Sequence, residues 1–151
     1  MSKHMTQDNE LLFDGSIWCN LDVALRNVDQ YFRQYISPAE LTVIEWYILR
    51  SLYENDGQHA SALARAVGRA ATSFTPNLDK LQNKGYVERQ ADKHDRRAVR
   101  IHLTRKGHEI REEVLQSAKE LDELLANLFD SQEYQNFTHV LSQLQTLTPN
   151  N

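Results

Sequence analysis

The sequence predicts a mainly α-helical chain with one small β-hairpin near its middle, and three observations carry that prediction. Apolar residues recur at three- and four-residue spacing over long stretches toward both ends. Two short segments, Tyr86–Gln90 and Val99–Leu103, alternate apolar and polar residues instead, and the turn-rich stretch Ala91–Ala98 joins them. Charge is also unevenly placed. Arg65–Arg111 holds twelve basic and five acidic residues, a surplus of +7, while the rest of the chain carries −11 against a total of −4.

The bulk numbers set the frame. A chain of 151 residues suits one domain, or one domain with appended helices, and is long enough to bury a core. With 25% charged and 40% hydrophobic residues it has an ordinary globular composition. No apolar run is long enough to span a membrane, and the polar start shows no signal peptide. A single cysteine, Cys19, excludes an internal disulfide framework. The expectation is a cytoplasmic protein with no membrane partner.

The elements follow in order. Residues 1–15 read as a flexible arm. Ile17, Leu21, Ala24, Leu25, Val28 and Phe32 then mark a first helix over about Ser16–Gln34. Pro38 ends it by pushing Ser37 out of helical geometry. Two capping boxes compete for the next start, Ser37–Glu40 and Thr42–Glu45. Thr42 is the better choice, with Ser37 opening a short turn. The second helix, reaching about Asn55, is apolar nearly all round and should be central. Glu54–Gln58 is a turn. Ala60–Gly68 is a short third helix closed by Gly68. The fourth carries Phe74, Leu78 and Leu81 on its inner stripe and ends at Gly85. Pro76 fits a first turn, which puts the regular start near Thr72 or Ser73. After the hairpin, Thr104 caps a long fifth helix with Ile110, Val114, Ala118, Leu121, Leu125 and Leu128 on its buried edge. Tyr134, Phe137, Leu141 and Leu144 belong to a sixth.

Two short helices followed by a charged hairpin make a winged helix-turn-helix, and the chemistry on them suits double-stranded DNA. The inner stripe of the fourth helix leaves Arg69, Thr72, Ser73, Pro76 and Lys80 on the opposite side. Small hydroxyls let a helix approach base edges, and a helix N-terminus favours phosphate. The hairpin tip offers Arg96 and Arg97, guanidinium groups that suit the negative potential of a narrow minor groove. Asp95 beside them is unwelcome near phosphate unless it orients an arginine. A merely solvated charged loop has the same composition. A winged helix used for protein contacts is the other alternative, and it needs no basic surplus.

The stretch Leu78–Gly107 also resembles the multiple-antibiotic-resistance regulator (MarR) family of bacterial transcription factors. The residues that carry the resemblance are Leu78, Leu81, Lys84-Gly85, Tyr86, Val87, Arg89, Asp95-Arg96-Arg97, Leu103-Thr104 and Gly107. Leu41–Leu52 resembles the family's second helix, with Glu45 where glutamine is common. The resemblance implies a homodimer with a dimerisation helix at 16–36, a winged helix DNA-binding region at 37–103 and dimerisation helices at 104–151. It assigns the minor-groove role to Arg97, with Asp95 as its orienter. It further implies a ligand-responsive repressor acting on a pseudo-palindromic operator; no enzymatic activity and no cofactor are expected. Pro76 departs from a position where the family often has arginine, and it offers no side-chain donor for base reading there.

Other residues invite readings of their own. Trp18, Tyr31, Trp46 and Tyr47 concentrate in the first two helices. They suit ordinary core packing, or a pocket for a small aromatic or phenolic effector of the kind family members bind. Cys19 invites redox sensing. The sensor cysteine of some family members, however, falls on Trp18, and its companion tyrosines near Phe32 and Val43. His108 with Glu109 and Glu112 is the only local histidine cluster, a metal sensor being the minor alternative it offers, and no Cys/His spacing resembles a zinc site. No glycine-rich phosphate loop, motif-bearing nucleophile or paired catalytic carboxylates point to an enzyme.

Overall fold

The structure is a computed structural model and describes residues 10–68 and 71–148. Seven helices and a three-stranded antiparallel sheet follow one another among them: α1 (Ile17–Ile36), α2 (Val43–Glu54), β1 (Gln58–His59), α3 (Ala60–Val67), α4 (Ala71–Asn83), β2 (Val87–Ala91), β3 (Val99–Leu103), α5 (Arg105–Glu109), α6 (Arg111–Ala126) and α7 (Ser131–Gln145). The strand order is β1-β3-β2. Val87 faces Leu103 and Ala91 faces Val99 across the hairpin, while β1 sets His59 opposite Arg100.

α2 is the central element, as its all-round apolarity requires. Thr42 caps it through a complete capping box: its hydroxyl accepts the Glu45 N–H at 3.2 Å and the Glu45 carboxylate accepts the Thr42 N–H at 3.0 Å. A cap of this kind contributes about 0.5–2 kcal/mol. Ile48, Leu49 and Leu52 are fully buried and meet Leu63 of α3, Leu81 of α4, Ile101 of β3 and Val114 of α6 in one core. The same box anchors α4, because Glu45 also accepts from Lys84 Nζ at 2.7 Å and the Thr42 hydroxyl donates to Asn77 Oδ1 at 2.7 Å. Trp46 closes the other side. Its indole N–H donates to the Val114 carbonyl at 2.8 Å, and its ring meets Phe32 edge-on at 4.9 Å. α1, α2 and α6 are thereby stitched together.

Ser37–Ala39 form a one-turn 3-10 segment where Pro38 was expected to break the chain. Gly68 adopts the left-handed conformation that closes α3. Gly107 is required for another reason: a Cβ there would lie 2.1 Å from the Tyr86 carbonyl oxygen, so α5 packs against the hairpin only with glycine at that point.

Several expectations are corrected. The region after the α2 turn is not all turn, because Gln58–His59 form a third strand on β3. β2 runs Val87–Ala91, one residue beyond the expected limits. α4 starts at Ala71, so Pro76 stands past the first turn and the helix forgoes one backbone hydrogen bond. The long fifth helix is two helices. Thr104 does cap the first, accepting the Gly107 N–H at 3.1 Å, but Ile110 at φ −88°, ψ 3° interrupts the run before α6. Leu128 is exposed rather than on a buried edge. Of the flexible arm expected over 1–15, residues 1–9 lie outside the described residues. Phe13–Gly15 form a 3-10 turn, and Asn20 clasps Leu12 by accepting its N–H at 3.0 Å and donating to its carbonyl at 2.7 Å.

Candidate nucleic-acid interface

α4 presents two faces, as its stripe predicted. Phe74, Leu78 and Leu81 are buried, and Asn77 joins them. Thr75, Pro76, Asp79 and Lys80 are exposed on the other side. Thr72 and Ser73 belong to the helix by their backbone, and only their backbone is described; Arg69 lies outside the described residues. Thr75 was missed by the sequence reading. It sits three positions after Thr72 and one before Pro76, and the exposed helical face is the signal that could have found it.

The wing divides its basic residues between two tasks. Lys84 is taken by Glu45 and by the Glu40 carbonyl at 2.6 Å. Arg89 binds Asp79 and Gln82 of α4, each at 2.5 Å, and so fastens β2 to the helix. Arg100 pairs with Asp92, and Lys106 donates to the Lys84 carbonyl at 2.8 Å and covers the Tyr86 ring. These cations hold the fold. Arg96 and Arg97 stand exposed at the tip, and among the described residues no ion pair engages either guanidinium. Lys93 is exposed beside them.

Asp95 orients Arg97 through the backbone: its Oδ1 accepts the Arg97 N–H at 2.9 Å, and its carbonyl accepts the Ala98 N–H at 3.0 Å. Such an Asx turn fixes where the residue points while leaving its guanidinium available. Asp92 sits beneath the tip, buried. The N–H of His94, the Arg100 guanidinium and the N–H of Asp95 hold its carboxyl well below the usual carboxylate range. It is the second feature that sequence inspection missed, because nothing in composition distinguishes a buried aspartate from a solvated one.

The aromatic residues separate. Trp46 is in the core and Tyr47 meets it edge-on at 5.1 Å. Both line a cavity of about 450 Å³ between α1, α2 and α6, together with Leu25, Val28, Arg50 and Lys119. Trp18 is 77% exposed on α1 and Tyr31 is exposed as well, and neither lines that cavity. Cys19 is partly buried near the start of α1, its N–H bonded to Ser16 Oγ at 3.4 Å. His108 lines a small cleft with Tyr53, Asp56 and Arg111, and among the described residues no group of three or more His, Cys, Asp or Glu is arranged to hold a metal ion.

Residues 41–99, from the start of α2 into β3, match the MarR family model. A MarR transcriptional regulator from Methanosarcina mazei Go1 shares 27% identity, with 85% of this chain and 92% of that chain covered and a TM-score of 0.75. Apo MarR from E. coli is 23% identical over 90% of this chain and 98% of its own, with a TM-score of 0.74. BpsR of Bordetella bronchiseptica, whose DNA binding is regulated by 6-hydroxynicotinic acid, is 18% identical over 92% of this chain and 99% of its own, at a TM-score of 0.81. The last two speak to fold alone. Residues 41–99 are thus similar to the MarR family, and the chain shares the winged helix-turn-helix fold of these transcriptional regulators.

Proposed function

We propose that the chain is a homodimeric repressor that binds a pseudo-palindromic operator and releases it in response to a small aromatic or phenolic acid. The observation that carries the DNA reading is the division of labour in the wing. Neighbouring cations are committed to the fold, while Arg96 and Arg97 are held out at a braced tip, with no ion pair to either guanidinium among the described residues. α4 offers Lys80 and Pro76, with Thr72 and Ser73 in its first turn, to the major groove; Arg69 precedes them in sequence. Two wings on one dimer suit half-sites about 10 bp apart. The domain limits follow: 16–36 and 104–151 for dimerisation, 37–103 for DNA.

Dimerisation is supported by apolar surface that one chain leaves open. Ile17, Trp18, Leu21 and Leu25 of α1 and Tyr134, Phe137, Leu141 and Leu144 of α7 are all exposed. Exposed apolar helix faces of this kind are what protein interfaces cover. The effector reading rests on the cavity beside Trp46 and Tyr47, whose size and aromatic lining suit a small aromatic ligand; Arg50 and Lys119 can meet a carboxylate there, with Asp29 and Asp122 also in the lining. The acidic flanks of the chain repel DNA away from the wing, which argues against a generic protein-contact module.

Salt tests the DNA reading. Affinity for duplex DNA should fall with a log–log slope corresponding to about 6–10 phosphate contacts. A slope near zero would leave the winged helix as a protein-contact module. The effector is tested by tryptophan emission. A panel of aromatic carboxylates should perturb the buried Trp46 and leave a Trp46→Phe variant, which retains the exposed Trp18, unresponsive. A response that survives in Trp46→Phe removes the ligand from this cavity.

A further inference from the structure

The wing tip is held by more than its own hairpin. Asp92, at the turn after β2, is a buried carboxylate in the most basic stretch of the chain. Its Oδ1 accepts the backbone N–H groups of His94 at 2.7 Å and Asp95 at 3.0 Å, which fixes the first half of the tip. Its Oδ2 accepts from Arg100 Nε and lies 3.6 Å from His59 Nε2. Arg100 then reaches out of the hairpin altogether. Its Nη1 donates to the Gly57 carbonyl at 2.8 Å, and its Nη2 approaches His59 Nε2 at 2.9 Å. Guanidinium is donor only, so His59 presents Nε2 as an acceptor in this contact.

All three guanidinium nitrogens of Arg100 are thus engaged. One holds the tip and two hold the turn and strand that join α2 to α3. β1 makes this possible, because its two residues place His59 directly opposite Arg100 in the sheet. One carboxylate at the base of the tip is therefore linked, through one arginine, to the frame on which α4 is also built.

We infer that Asp92, Arg100 and His59 are positioning residues that set the angle at which the wing presents Arg96 and Arg97. The inference rests on the reading of the hairpin as a DNA wing. It explains a carboxylate at a place where electrostatics alone disfavours one. An acid beneath a phosphate-facing surface weakens long-range attraction, but this one is bonded on both oxygens to groups that shape the tip.

That opposition of sign supplies the test. Asp92→Asn removes one negative charge from the wing while keeping an oxygen for the two tip amides. If Asp92 acted only through charge, the variant would bind DNA more tightly. If it positions the tip, affinity falls by about tenfold, the scale of one lost groove contact. The probe is a duplex selected from a randomised library by the parent chain, with melting curves recorded beside each titration. Asp92→Asn binding as tightly as the parent, or tighter, overturns the inference. Should that variant fail to fold, His59 decides, since its side chain is 39% exposed and outside the core. His59→Gln retains an acceptor for Arg100 and should keep the parent affinity, whereas His59→Leu should lose severalfold. Equal affinity in the two overturns the inference. Arg97→Ala is the companion measurement. If it binds like the parent, the wing reading itself fails and takes the inference with it. If it is weakened while Asp92→Asn is not, only the inference fails.

Discussion

α4 and α7 are helices of 13 and 15 residues whose apolar positions recur with the same period, yet the chain treats them differently. α4 buries Phe74, Leu78 and Leu81 in the core around α2, and its far side stays exposed. α7 buries nothing. Tyr134, Phe137, Leu141 and Leu144 remain exposed, and only Phe137 finds an aromatic neighbour, stacking on Phe129 at 5.3 Å. Helical periodicity announces that a face will be covered, and it is silent on which chain covers it. The winged region is complete within one chain, because α2 supplies a central apolar rod that helices and sheet can surround. α7 has no such rod within reach, and its apolar face is the one that the proposed dimer would cover.

The comparison can be broken most severely at α7. Leu141→Asp combined with Leu144→Asp places charge on a face that a partner must desolvate. Sedimentation should show a monomer, while the melting of the winged core persists. Operator affinity should fall by about 10²–10⁴-fold, the advantage that two linked half-site contacts hold over one. A double variant that stays dimeric would mean that α7 is not at the interface.

A smaller effect is expected at the wing. Arg97→Ala should weaken operator binding by about 1–3 kcal/mol and flatten the salt slope by about one. Fold and dimer should be untouched, since the tip is exposed and adds nothing to the core. Titrations at several salt concentrations read both quantities. An unchanged slope would leave Arg97 out of contact with phosphate.

Much of this division was legible in the sequence. The Thr42 cap, the closure at Gly68, the inner stripe of α4 and the hairpin all rest on local rules, and local rules are written in adjacent residues. Three features were not legible in adjacent residues. β1 has only two residues, too few for any alternation, and exists through pairing with Arg100 and Ile101. The break at Ile110 leaves the apolar spacing of Ile110, Val114 and Leu121 undisturbed, so periodicity runs straight through it. Nothing in the sequence marks Asp92 as buried, and Glu45 reads only as a cap partner; both become buried ties once Arg100 and Lys84 are brought to them. Trp18 and Trp46 look alike on a helical wheel, but only the second has α6 over it.

The smallest expected effect separates reading from holding within the interface itself. A serine near a helix start can contact a base edge or cap the helix. With α4 beginning at Ala71, Ser73 is the third residue of the helix and stands inside the first turn rather than at its cap. A capping loss of about 0.5–2 kcal/mol in stability is therefore not expected from Ser73→Ala. What remains is sequence discrimination. A hydroxyl that reads a base edge contributes to the selected duplex and not to random DNA, so Ser73→Ala should lower the ratio of the two affinities by about 1–3 kcal/mol at most. Arg97→Ala should instead weaken binding to both duplexes nearly alike, because it meets shape and charge more than base identity. The pair is measured on selected and random duplexes at one salt concentration, with melting curves alongside. Should Ser73→Ala lower thermal stability and leave the affinity ratio where it was, the hydroxyl supports the helix, and discrimination must come from the exposed neighbours Thr75, Pro76 and Lys80.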